Sequence, residues 1–205
     1  MVDCDTLEEV DTTRTNEATL AKIDPLIADL DSRQGLVRQQ ARIALIQMGE
    51  AAVPSLIKAL ENRNGPTHWE AAKALSLIGD PRSVQALVQA LEDNEFGVRW
   101  LAAEGLITVG YCSLAPLLQA LIDRPQSIRM REGAHHVLHD LVSRHLINQA
   151  SSERVKPVLA ALYDIEPAVE VPLAAHKALD ALKVENATPE TKEGQDHVKT
   201  KSISR

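Results

Sequence analysis

The feature that most constrains this chain is a pair of leucine ladders that keep step with each other. One pattern recurs as LIADL (26–30), LIKAL (56–60), LVQAL (87–91), LLQAL (117–121) and VLAAL (158–162). A second follows about 15 residues behind as ARIAL (41–45), AAKAL (71–75), AAEGL (102–106), AHHVL (134–138) and AHKAL (175–179). The closing leucines of both ladders advance by about 30 residues per step, and in the last step both advance by 41. A shared period of this length marks a repeat array, in which each unit is one supersecondary element stacked on the next. Both patterns set apolar residues at i, i+3, i+4 and i+7, the spacing of one helix face.

The choice of helix follows from which apolar residues are used. Apolar residues make up 44% of the chain and aromatics only 2%, so the core is built from Ala, Leu, Val and Ile. Ala and Leu favour helix, whereas strands draw on β-branched and aromatic residues. Within a pair, the helices are separated by the polar breaks DSRQG, ENRNGPT, EDNEFG, IDRPQS and YDIEP; between pairs stand MGE, IGDP and VGY. Gly49, Gly79 and Gly110 are expected as helix C-caps. Asp80-Pro81 reads as an N-cap followed by the first helical residue, and Thr67 to Glu70 as a capping box. Pro167 is expected to open the last helix, with Pro172 either kinking it or marking its true start.

One such hairpin cannot bury its apolar stripe alone, but a stack of them makes a continuous core. The expected fold is all-α: an α-solenoid of five helical hairpins near residues 19–49, 50–79, 80–110, 111–150 and 151–183. The insertion near SRHLINQASS (143–152) reads as an extended helix end plus a loop. Residues 1–18 and 184–205 are polar and are expected to be disordered.

Charge and motifs exclude several functions. The formal net charge of −7 divides as −5 over residues 1–18, −2 over 19–183 and zero over 184–205. A nucleic-acid binder needs a net basic surface to displace counterions, so no nucleic-acid partner is expected. No charge-free apolar run approaches the roughly 20 residues of a membrane span, and the acidic MVDCDTLEEVDTTRTNEAT does not read as a secretory signal. Cys4 and Cys112, isolated in sequence, read as two free thiols in a reducing cytoplasm. No nucleophile–base pair, glycine-rich phosphate loop or paired-carboxylate motif is present, so no catalytic residue and no cofactor is expected.

The segments LVRQQARIALIQMGEAAVPSLIKALE (36–61), HWEAAKALSLIGDPRSVQALVQALED (68–93) and VRWLAAEGLITVG (98–110) closely resemble the short HEAT-like repeats first named for phycobilisome lyases. The resemblance covers roughly residues 19–183. It implies HEAT-type hairpins whose second helices line the concave side of the solenoid. It also implies a choice of functions: scaffolds, bilin lyases, phycobilisome-degradation proteins and deoxyhypusine hydroxylase. That hydroxylase places His-Glu dyads near the starts of its second helices, where this chain reads Gln39-Gln40, Trp69-Glu70, Trp100-Leu101, Glu132-Gly133 and Leu173-Ala174. None is His-Glu. A lesion glycosylase of HEAT-like type would need a basic channel, which a solenoid of net −2 does not offer.

Counting back from the closing leucine of each second helix, positions −8, −4, −1 and 0 fall on one side and position −6 on the other. Position −6 holds Gln39, Trp69, Trp100, Glu132 and Leu173, so both tryptophans share one outward register. They read either as a binding strip, since Trp is favoured in interface hot spots, or as packing against the next helix start. Position −7 holds Arg38, His68, Arg99 and Arg131, read as bonding the preceding acidic turn (Asp31, Asp93, Asp123) or the adjacent repeat, with an acid-binding ladder as the alternative. The fourth repeat carries His135, His136 and His139 around a mid-helix Gly133. Imidazoles and carboxylates on one face can ligate Zn or Fe, although 135 and 136 diverge by about 100°; otherwise these histidines form a hydrogen-bonded surface. The function expected is a non-catalytic scaffold gripping a protein partner through Trp69, Trp100, Arg99, Glu104, Arg131, Glu132 and His136. The alternative is a bilin lyase or bilin-protein chaperone, and a second alternative is a metal-dependent hydroxylase resembling deoxyhypusine hydroxylase.

Overall fold

The computed structural model describes residues 17–62 and 65–187. Among them run ten α-helices and no strand: α1 (Glu17–Asp29), α2 (Gly35–Met48), α3 (Val53–Glu61), α4 (Thr67–Ile78), α5 (Val84–Ala90), α6 (Phe96–Val109), α7 (Leu114–Asp123), α8 (Ile128–Ser143), α9 (Gln149–Ala161) and α10 (Pro167–Ala187). They pair as five hairpins, so the fold is an α-solenoid. α1 begins at Glu17 and α10 continues past Lys183, so both helices run slightly beyond the expected repeats; the rest of the expected disordered segments lies outside the described residues.

The two ladders are the core. Leu30, Leu45, Leu60, Leu75, Leu91, Leu106, Leu121, Leu138 and Leu179 are all buried. Full burial of such a side chain contributes roughly 1.5–3 kcal/mol. Only Leu162 is half-buried, and it belongs to the hairpin that stacks differently. Two apolar stretches, Gly35–Glu61 and Phe96–Asp123, are long enough by composition to cross a membrane. Each is two solenoid helices of different layers joined through a 3-10 turn, Gly49–Ala52 or Gly110–Ser113, and apart from exposed Leu36 its leucines are turned into the protein core.

Local chemistry sets the helix ends. Gly49, Gly79 and Gly110 follow α2, α4 and α6 at positive φ, and each donates its N–H back into the helix it ends. Asp80 caps the next turn by accepting from the Arg82 backbone N–H at 2.8 Å. Burial pushes the Asp80 carboxyl up, but the hydrogen bonds and charge of Arg82 outweigh this and hold it below the usual carboxylate range. Pro172 lies inside α10, which starts at Pro167.

The expected capping box does not form. Thr67 makes no capping bond to its own helix; its hydroxyl donates instead to Asp31 Oδ1 at 3.2 Å. Glu70 is held by Arg38 Nε at 3.2 Å and by Arg42 Nη1, both from α2. A buried carboxylate needs a charged partner more than a single backbone N–H can supply, so the inter-repeat pairing wins. The two-thiol expectation is also corrected: Cys112 is disulfide-bonded, a state that isolation in sequence does not report. Cys4 lies outside the described residues.

In the first four hairpins the second helices α2, α4, α6 and α8 stack side by side, as do the first helices α1, α3, α5 and α7. The fifth hairpin breaks the order: α9 lies beside α8, and α10 packs on α7 and on α9. The connection explains the change. Earlier repeats are joined by 3-10 turns opening at Gly49, Pro81 or Gly110, whereas α8 ends at the left-handed His145 (φ 56°) and buries Ile147 before α9 begins. Leu173 therefore sits in the first-helix layer and does not extend the Trp69–Trp100 register.

Candidate functional site

The basic residues at position −7 tie each second helix to the turn before it. Arg38, Arg99 and Arg131 each donate through Nη1 to the carbonyl six residues earlier: Ser32 at 2.7 Å, Asp93 at 2.9 Å and Pro125 at 2.5 Å. His68 does the same work through Nδ1 and Gly65 O at 2.8 Å, while its Nε2 faces Glu95 of the next repeat at 3.5 Å. The acidic-turn contact is thus made to backbone oxygens and not to the carboxylates of Asp31 or Asp123. Chain ends of short helices leave carbonyls without partners, and a guanidinium satisfies them.

The two tryptophans have different surroundings. Trp69 is half-buried against the core. Its indole lies where a Cβ on Gly97 would come within 2.9 Å, and the Arg42 guanidinium sits 5.8 Å from its ring centre. It is packing between α4 and α6. Trp100 is 48% exposed. One face of its indole stacks on His136 of α8 (centroids 4.6 Å, 26°), and Phe96, one turn earlier and also exposed, stands 6.4 Å away. His136 Nε2 is in turn 3.0 Å from Glu104 Oε1.

These residues surround one pocket of about 200 Å³ between α6 and α8, lined by Leu91, Phe96, Arg99, Trp100, Ala103, Arg129, Glu132, Gly133 and His136. Of the strip read from sequence, the fold gathers Trp100, Arg99, Glu132 and His136 here, with Glu104 joined through His136. Trp69 and Arg131 do not reach it. Gly133 has a packing cause: a Cβ there would meet Leu91 Cδ2 at 2.8 Å. Sequence reasoning missed Phe96 and Arg129. Phe96 carried a signal, being four residues before Trp100 and thus on the same helix face; the helix start, however, is not marked by a cap of its own.

The histidines of α8 point to separate places. His136 turns to Trp100 and Glu104. His135 stacks on His139 (5.9 Å) and meets the edge of Tyr163 at 4.8 Å. Burial, then the nearby charges of His139 and His136, push the His135 pKa down. No group of three or more His, Cys, Asp or Glu among the described residues is arranged to hold a metal ion. Glu70 and His68, the other residues of hydroxylase-like type, face different partners.

The family model described as HEAT repeats matches residues 23–107, from α1 through α6. Among solved structures, the chain is similar to one in the complex of CpcE and CpcF of phycocyanin lyase from Nostoc sp. PCC7120. The two share 27% identity over 78% of this chain and 98% of that one, with a TM-score of 0.51. No curated protein matches. Repeat pattern, five stacked hairpins and these two similarities agree: the chain is a solenoid of HEAT-type repeats, matched as such over residues 23–107 and similar in structure to a chain of the phycocyanin lyase complex.

Proposed function

We propose that this chain is a protein-binding solenoid that holds a partner on the second-helix face of repeats three and four. The observation that carries this reading is the exposed Phe96–Trp100 pair beside a small pocket, its ring geometry fixed by His136 and Glu104. Large aromatic side chains held rigidly in the open are what interface hot spots use, because little rotamer freedom is lost on binding. The face is also chemically quiet, offering packing and hydrogen bonds but no activated nucleophile. Immobilised wild-type protein and the Phe96→Ala/Trp100→Ala variant, both checked as folded by circular dichroism, are exposed to extract from the source cells. The wild type recovers a specific protein that the variant loses; equal recovery contradicts the assignment of this face.

A second reading is favoured by the structural match. The chain covers almost all of a subunit that works in a two-subunit phycocyanin lyase complex, so a role as one half of a lyase-type pair or as a bilin-protein chaperone follows by similarity. Mixing the protein with a bilin and recording visible absorbance tests it. A shift with the chain alone, or with its recovered partner, supports the lyase-type role; an unchanged spectrum in both cases removes it.

A further inference from the structure

We propose that the α6–α8 pocket receives one bulky apolar side chain, Phe or Leu, from a partner segment whose flanking residues are Asp or Glu. The inference rests on the protein-binding reading above and adds the partner's chemistry.

Size selects the kind of occupant. Small-molecule and cofactor sites occupy roughly 300–1,000 Å³, and this pocket holds about 200 Å³. That is room for one side chain, the anchor that hot-spot interfaces insert into a preformed pocket. Leu91 and Ala103 are buried at its base, and Phe96 and Trp100 stand beside it. Trp100 is already held by His136, so the wall is set before anything binds.

Charge selects the flanks. Arg99 donates to the carbonyls of Asp93 and Asn94, and Arg129 to the Glu92 carbonyl and the Asn94 side-chain oxygen. Neither guanidinium is matched to a carboxylate, whereas Arg38 and Arg42 share Glu70 and Arg82 holds Asp80. Glu132 is the single acid lining the pocket. Within the lining, two guanidiniums without carboxylate partners stand beside Glu132, while the neighbouring Glu104 is engaged by His136 and Glu95 faces His68. Arginine forks bind carboxylates in paired hydrogen bonds, so acidic flanks are favoured and lysine flanks repelled.

The test is an NMR titration of the full chain, following the Trp100 indole N–H and the Gly133 amide. The probes are a short helix-forming peptide with one Phe flanked by Glu, its Phe→Ala version and its Glu→Lys version. The Glu-flanked Phe peptide shifts both signals saturably, and each altered peptide binds at least about tenfold more weakly. Arg129→Glu, at an exposed site, inverts the preference towards the Lys peptide. Absence of any shift at these two signals, or equal affinity for the Glu and Lys peptides, overturns the proposal. If the Phe96→Ala/Trp100→Ala variant loses the native partner while Arg129→Glu keeps it undiminished, the acidic-flank assignment fails and the protein-binding reading stands. If the peptides discriminate as stated but the double variant keeps the partner, the pocket chemistry is supported and the assignment of the native interface fails.

Discussion

Glu70 has a side chain only 7% exposed and lies between Arg38 and Arg42 of the preceding repeat. Removing the partner of a buried charge is expensive, but the two guanidiniums keep a quarter and a sixth of their surface in water, which reduces the penalty. Glu70→Gln is expected to destabilise the protein by about 1–2 kcal/mol, read as a lower thermal midpoint by far-UV circular dichroism. His135 makes a pH-dependent prediction. Its Nε2 is buried without a hydrogen-bond partner, and its folded pKa lies below the ordinary 6.5. Between those two values the unfolded chain binds the proton and the folded one does not, so stability falls as pH drops through 6.5 towards the folded value. His135→Phe keeps the ring against Tyr163 and should flatten this part of the stability–pH curve; an unchanged slope would assign the acid sensitivity elsewhere. At this scale sequence was only partly legible. It marked Trp100 and His136 but saw Thr67–Glu70 as a local cap, because a guanidinium arriving from 28 or 32 residues away leaves no trace in a four-residue window.

The helices themselves were the most legible level, since each is written as an apolar stripe and several end at a glycine. Leu45, Leu75 and Leu106 are wholly buried, and the glycines after α2, α4 and α6 adopt the left-handed φ that such ends require. The fourth repeat also ends at a positive φ, with a residue other than glycine. His145 N–H donates to Val142 O at 3.2 Å and Leu146 N–H to Leu141 O at 3.0 Å, the two bonds of a Schellman motif, with His145 at φ 56°. A residue with a Cβ pays roughly 1–2 kcal/mol to sit there. His145→Gly is therefore expected to stabilise the protein by about 0.5–1 kcal/mol, the remainder lost to a more flexible unfolded chain. A thermal midpoint that fails to rise would show that the imidazole makes up the strain.

Across the whole molecule, the shared step of 41 announced that the fifth hairpin differs, but not how. Periodicity records which residues are apolar; it does not record which neighbour they meet, and so the exchange of layers by α9 and α10 could not be read from it. That exchange covers α7 with α10 and limits the second-helix face to α2, α4, α6 and α8. The proposed protein partner sits on that face, at α6 and α8. A photo-cross-linking amino acid in place of Phe96, compared with one in place of Gln119 on the first-helix layer, tests this directly in the source cells. A discrete cross-linked partner at position 96 and none at 119 is the predicted result. The same adducts from both positions, or a partner captured only from 119, would contradict it.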